Sequence, residues 1–226
     1  MTQTDRRRKR AYQIMALVTA CCVFMAFIET VAEPAYAVKS AVKAVVFLLV
    51  PLIAARTAGV RLSSPAFRLD GKGVARLLAL GFSIYGVIFA GYVLTKNLFD
   101  YAALVESLSA DQRVNADSFA GVAFYISFCN SFLEEFLFRL VAFVQLSRYA
   151  SRKTAYLFSS VLFAVYHIGM IGTSFPPVLL GLALAGLTAG GLIFDCVDHK
   201  NGTLYNSWTV HMFADFAIMT IWYLHI

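Results

Sequence analysis

Residues Ser118–Leu146 read SFAGVAFYISFCNSFLEEFLFRLVAFVQL. Apolar runs of about 18 residues or more read as bilayer-spanning helices, and this one is longer than that. It nevertheless contains Glu134, Glu135 and Arg139. An ionised side chain at the bilayer centre costs at least ~2.5–3.5 kcal/mol, so each asks for a reason. Glu135 and Arg139 are spaced i, i+4, share a helix face and are expected to form an ion pair, which lowers the cost of burying both. Glu134 points about 100° away on a 3.6-residue helix and is left to face another partner.

The rest of the chain agrees with a membrane setting. Of 226 residues, 60% are hydrophobic and 14% charged, against ~45–50% and ~25% in soluble domains; the mean hydropathy is +0.71. A small soluble core cannot hide that much apolar surface. A soluble globular enzyme, a disordered chain and a disulfide scaffold are therefore excluded. The net charge of +6 does not point to nucleic acid. Arg6, Arg7, Arg8, Lys9 and Arg10 form one cluster, and the other basic residues flank apolar runs, as the positive-inside rule expects. Cys21, Cys22, Cys129 and Cys196 lie in or beside apolar runs without CxxC spacing, which argues against a zinc knuckle or a disulfide framework.

Seven hydrophobic runs are legible: about 11–31, 41–55 (opening near Val38, with Lys39 and Lys43 at its outer end), 74–94, 118–146, 155–171, 178–194 and 204–225. The segment 97–117, with Asp100, Glu106, Asp111 and Asp117, is assigned to the outside; an interfacial or re-entrant helix within it would bring the count to eight. Arg56, Arg61, Arg68, Lys72 and Arg76, against the single acid Asp70, read as a cytoplasmic loop, as do Arg148, Arg152 and Lys153. The predicted architecture is an all-α, polytopic transmembrane helical bundle of seven to eight spans with a cytoplasmic N-terminus. Residues 1–10 form a basic tail and 11–226 one transmembrane domain, whose motif core is 118–226. Ala35-Tyr36-Ala37 offers an A-x-A cleavage site, but Glu29, Glu33 and Pro34 crowd it, so no signal-peptide cleavage is expected. Glu29 and Glu33 are assigned to an outer interface, Asp195–Gly202 to a polar turn, and Gly186-x-x-x-Gly190 to close helix packing. His199 and His225 lie at run ends and are expected to be solvated.

Depth ties the interior polar residues together. Glu134 precedes Arg148 by 14 positions, His167 follows Lys153 by 14, and His211 follows Lys200 by 11. At ~1.5 Å per residue each lies roughly 16–21 Å from its cytoplasmic flank, so one shared layer is expected. His211 and Asp215 share a face at i, i+4, and Phe163 lies one turn before His167, placed to pack on the imidazole.

Glu134-Glu135-Phe136-Leu137-Phe138-Arg139 resembles the EExxxR motif of the CPBP family, the type II CAAX prenyl endopeptidases and related Abi membrane proteins. Phe163-Ala164-Val165-Tyr166-His167 resembles its FxxxH motif, and His211-Met212-Phe213-Ala214-Asp215 its HxxxN/D motif. The resemblance implies intramembrane proteolysis, described in the family as metal- or glutamate-dependent. It gives Glu134 the role of activating water, with His167 beside it. His211 and Asp215 stabilise the oxyanion, and Glu135 and Arg139 hold the motif helix. A carboxylate in an apolar setting is a competent general base near neutral pH, and donors aimed at a developing oxyanion carry much of amide hydrolysis. Asp215 stands where many relatives have Asn. It donates only when protonated; otherwise it orients His211 or serves as a metal ligand. Two histidines with carboxylates also make a zinc (Zn2+) set, here Glu134, His167 and His211, with an open position for water, although no HExxH spacing is present.

The function the resemblance implies is hydrolysis of a peptide bond in a membrane-associated protein or peptide, with a bacterial plasma membrane as the expected setting, the lipid bilayer as the other partner and no nucleic acid. A leader peptide, a signal-peptide remnant or a small membrane protein is the expected substrate there. Two rivals are a catalytically silent scaffold or bacteriocin-immunity protein of the same family, and a proton-coupled transporter using the acid and histidine residues as a relay. The latter lacks the internal repeat and paired broken helices common in transporters.

Overall fold

A computed structural model describes residues 2–60, 62, 71–201 and 203–226. Arg61, Arg68 and Asp70 of the expected basic loop lie outside the described residues. Every regular element among those described is helical. Five helical stretches are long and apolar enough to cross a membrane: Gln3–Ala32, Tyr36–Thr57, Lys72–Thr95, Arg152–Ile171 and Pro177–His199. The two remaining runs are helical as well, and their interior charges and amides lower their hydropathy. The distribution of polarity is that of a protein in lipid: Phe82, Val87, Phe124 and Leu182 are exposed, whereas Lys43, Glu134, Glu135, Arg139, Asp195 and Asp198 are buried. Hydrocarbon solvates the first set and rejects the second. This is a multi-pass helical membrane protein.

The chain divides into two compact units, one of residues 1–65 and 133–204, the other of 66–132 and 205–226. The first unit opens with α1 (Gln3–Phe27). Thr2 and Asp5 form a capping box at its start, satisfying two orphan N–H groups. The basic cluster is thus helical and continuous with the first span. A π-helical turn, Ile28–Ala32, follows, and Glu33 ends it in the left-handed region at φ 41°, just before Pro34 blocks continuation. The chain turns back as α2 (Tyr36–Ala44), a π-helical stretch (Val45–Leu49) and α3 (Val50–Thr57). Pro51 can donate no hydrogen bond to the preceding turn and its ring crowds that turn; the widened stretch just before it accommodates both.

The unit resumes at Leu133 within α7 (Ser131–Glu134) and continues into a π-helical stretch (Glu135–Gln145) and a 3-10 turn (Leu146–Arg148). Ser151 caps α8 (Arg152–Tyr166) through the Thr154 N–H, and the short α9 (Ile168–Ile171) and α10 (Pro177–Asn201) follow. The α10 helix corrects the expected turn at 195–202: no Gly or Pro interrupts the chain between Gly191 and Gly202, and the helix runs on through Asp195 and Asp198. The close packing also falls elsewhere than expected. A Cβ on Gly186 or Gly190 would meet nothing within 4 Å, whereas one on Gly191 would lie 3.0 Å from the Ser160 backbone of α8. Ala11, Phe143, Leu146 and Ala155 form an apolar core in this unit.

The second unit contains α4 (Gly71–Thr95), α5 (Tyr101–Gln112), α6 (Ala116–Phe124) with a π-helical continuation (Tyr125–Asn130), and α11 (Leu204–Tyr223) from Tyr205 onward. The α5 helix is capped by Asp100. Its 12 residues reach about 18 Å, too short for a span, so it is the additional short helix foreseen in the acidic segment. Val105, Val114, Met219 and Trp222 make this unit's core, with the Trp222 indole donating to Ser109 Oγ at 3.1 Å. His225 pairs with the Tyr92 hydroxyl at 3.0 Å and is only partly exposed; His199 is exposed.

Candidate active site

Glu134 ends α7, where the helix widens into its π-helical stretch. Such widenings are rare and concentrate at functional positions. Its carboxylate is 1% exposed and faces Lys43 and His167 in the first unit. Lys43 Nζ lies 2.6 Å from Oε1, and His167 Nε2 lies 3.8 Å from Oε2. The Lys43 ammonium also sits over the rings of Phe47 and Tyr166, at 5.3 and 5.1 Å from their centroids, an arrangement that favours a desolvated cation. The assignment of Lys43 to an outer helix end is thereby corrected: it is buried against the first glutamate of the motif. Lys39, one turn earlier, is likewise buried and pairs with Glu29 at 2.7 Å, so Glu29 is an ion-pair partner within the unit.

His167 ends α8 and is oriented from two sides. Its Nδ1 is 2.7 Å from the Phe163 carbonyl. A carbonyl only accepts, so Nδ1 carries the hydrogen and Nε2 is the nitrogen turned to Glu134. The Phe163 ring packs against the imidazole with centroids 4.7 Å apart. The other face of the arrangement is Arg139, whose guanidinium carbon lies 4.7 Å from the Phe163 centroid and 5.3 Å from that of Phe194.

Arg139 is the hub of a second buried network. Its Nε donates to Glu135 Oε2 at 3.2 Å, the i, i+4 pair. Its Nη1 donates to Ser159 Oγ at 2.9 Å and to Asp195 Oδ1 at 3.4 Å. Ser159 Oγ reaches the Phe138 carbonyl at 2.9 Å and Asp195 Oδ1 at 3.1 Å, while Ser160 Oγ donates to Asp195 Oδ2 at 3.1 Å. Sequence reasoning missed Asp195 by placing it in a turn. The available signal was the unbroken chain around it, which carries the acid on around α10 from the Gly191 contact. Through this network the motif helix is bonded to α8 and α10. Arg139 holds Phe163, and Phe163 holds His167.

In the second unit, His211 Nε2 and Asp215 Oδ1 face each other at 3.7 Å on α11, both buried. Trp208, one turn before, donates to the Phe128 carbonyl and to Ser131 Oγ, both at 3.1 Å.

Of the expected zinc set, Glu134 and His167 lie in the first unit and His211 in the second, and one oxygen of Glu134 is held by the Lys43 ammonium. The four cysteines are free.

Fold and site together define a multi-pass helical membrane protein with a buried acid–histidine pair. Residues 116–217 match the family model of the type II CAAX prenyl endopeptidase Rce1-like proteins. The resemblance read from the three motifs is borne out there, and the match encloses all of them. No curated protein and no solved structure matches the chain significantly.

Proposed function

We propose that the chain is an intramembrane endopeptidase that hydrolyses a peptide bond of a membrane-associated protein or peptide, with Glu134 as the general base. The observation that carries this reading is the facing of Glu134 Oε2 and His167 Nε2 at 3.8 Å. That separation is too long for a direct hydrogen bond but suits one shared water about 2.8 Å from each. With Nδ1 protonated, Nε2 accepts one hydrogen of that water and Glu134 accepts the other. In the reaction Glu134 takes a proton from the water as its oxygen bonds to the substrate carbonyl carbon. The tetrahedral oxyanion collapses with cleavage of the C–N bond, and the proton held on Glu134 passes to the departing amine. His211 and Asp215 are assigned to oxyanion stabilisation on the motif correspondence alone. No step requires a metal. The expected setting is a bacterial plasma membrane with the N-terminus cytoplasmic, and the expected substrate is a leader-type or other small membrane peptide.

One rival has an observation in its favour. A buried Lys43–Glu134 pair is also what a catalytically silent scaffold or immunity protein would retain. The deciding experiment reconstitutes the protein in liposomes with fluorogenic membrane peptides, some prenylated CAAX-type and some unmodified leader-type. Wild type is expected to cleave at least one of them, with loss of cleavage in Glu134→Gln and His167→Ala. Cleavage that survives in both variants overturns the assignment, and no cleavage by wild type leaves the scaffold reading.

A further inference from the structure

We propose that Lys43 is a positioning residue for the reaction: its ammonium fixes Glu134 Oε1 so that Oε2 is the oxygen turned to His167. The inference rests on the reading in which Glu134 is the base. Lys43 lies on α2, outside the family-matched stretch 116–217 and 91 positions before Glu134, so no motif contains it.

Three observations carry it. First, the contact is short and fully desolvated: 2.6 Å, with side-chain exposures of 4% and 1%. In a low-dielectric setting such a pair is strongly directional, because bulk solvent screens neither group. Second, the carboxylate is divided between two partners, Oε1 on Lys43 and Oε2 toward His167. Rotation of the carboxyl group about its last bond would exchange the two oxygens or withdraw both, and the ammonium resists that rotation. Third, anchoring already has other residues. Lys39 ties α2 to Glu29, and Arg139 ties the motif helix to α8 and α10. A second lysine one turn along α2, aimed at the first glutamate of the EExxxR motif while Arg139 holds the second, is better explained by what it does to that acid. The rings of Phe47 and Tyr166 also hold the ammonium in place.

The test uses a reporter peptide cleaved by wild type in liposomes, with thermal unfolding recorded for every variant. Lys43→Met, of similar length and uncharged, is expected to lower kcat at least tenfold with KM within about twofold of wild type. In the Glu134→Gln background it is expected to change the residual rate by less than twofold, because Lys43 acts through Glu134. Lys39→Met removes a second ion pair from the same helix; it is expected to lower the unfolding temperature and leave kcat near wild type. If Lys43→Met does not fold, Lys43→Gln, which keeps an N–H toward Glu134 without the charge, is read in its place. Wild-type kcat in the Lys43 variant, with cleavage abolished by Glu134→Gln, overturns the role of Lys43 and leaves the protease reading intact. Unchanged cleavage in Glu134→Gln, or none by wild type, overturns the protease reading and this inference with it.

Discussion

His167 gives its Nδ1 hydrogen to the Phe163 carbonyl at 2.7 Å, and this one bond decides which imidazole nitrogen faces Glu134. The acceptor is backbone on the same helix, so the orientation is built into α8 and does not depend on a mobile side chain. Second-partner bonds of this kind set the tautomer wherever imidazole works as an acceptor.

Substitutions at His167 should therefore separate the two nitrogens. Asn retains a donor near the Nδ1 position and lacks anything at Nε2; it should fold as wild type and lose cleavage by about 10²–10⁴-fold, the usual contribution of a positioned acid–base group. The measurement is kcat on a cleaved reporter, with unfolding temperature as the control for structure. A cleavage rate within a few-fold of wild type would show that Nε2 has no part in the chemistry.

Asp195 offers a test of the supporting network. Its carboxylate takes hydrogen bonds from Arg139, Ser159 and Ser160. Asp195→Ala leaves the Arg139 charge buried with Glu135 as its remaining carboxylate within bonding distance in the network described, and a broken buried pair costs about 3–5 kcal/mol. The expected outcome is a clear fall in the unfolding temperature in detergent. Arg139→Lys should fall in the same direction, since a point ammonium cannot reproduce the fork that reaches Glu135 and Ser159 together. An unfolding temperature equal to wild type in both variants would mean that the network does not hold the motif helix.

The contrast between Glu134 and Asp195 shows what the sequence discloses and where it falls short. Long apolar runs reveal helices because hydrocarbon tolerates nothing else, and helical rise alone put Glu134 and His167 at comparable depth. Motif spacing gave the Glu135–Arg139 and Phe163–His167 contacts, since i, i+4 neighbours meet on any helix. Lys43 was hidden because its partner lies 91 positions away and a lysine near the end of an apolar run is ordinarily a topology signal. Asp195 was hidden because Asp195 to Lys200 is polar enough to read as a turn. The widened stretches at Val45–Leu49 and Glu135–Gln145 leave no mark in hydrophobic periodicity, although Pro51 marks the first.

Asp215 is the remaining test, because two of the roles open to it, oxyanion donor and orienter of His211, are separated by its chemistry. His211 Nε2 faces its Oδ1 at 3.7 Å, beyond direct hydrogen-bond distance. An ionised Asp accepts hydrogen bonds and donates none, whereas Asn can donate through its amide. If the residue donates to the oxyanion, Asp215→Asn should keep or raise kcat, and Asp215→Ala should lower it about 10²–10³-fold, the cost of one missing oxyanion donor. If it orients His211, Asn should fall with Ala, because the carboxylate facing Nε2 is lost in both. Comparing kcat of the two variants on one reporter, with unfolding temperatures matched, assigns the role. Equal wild-type activity in both would remove Asp215 from the reaction and leave His211 as the sole candidate donor on α11.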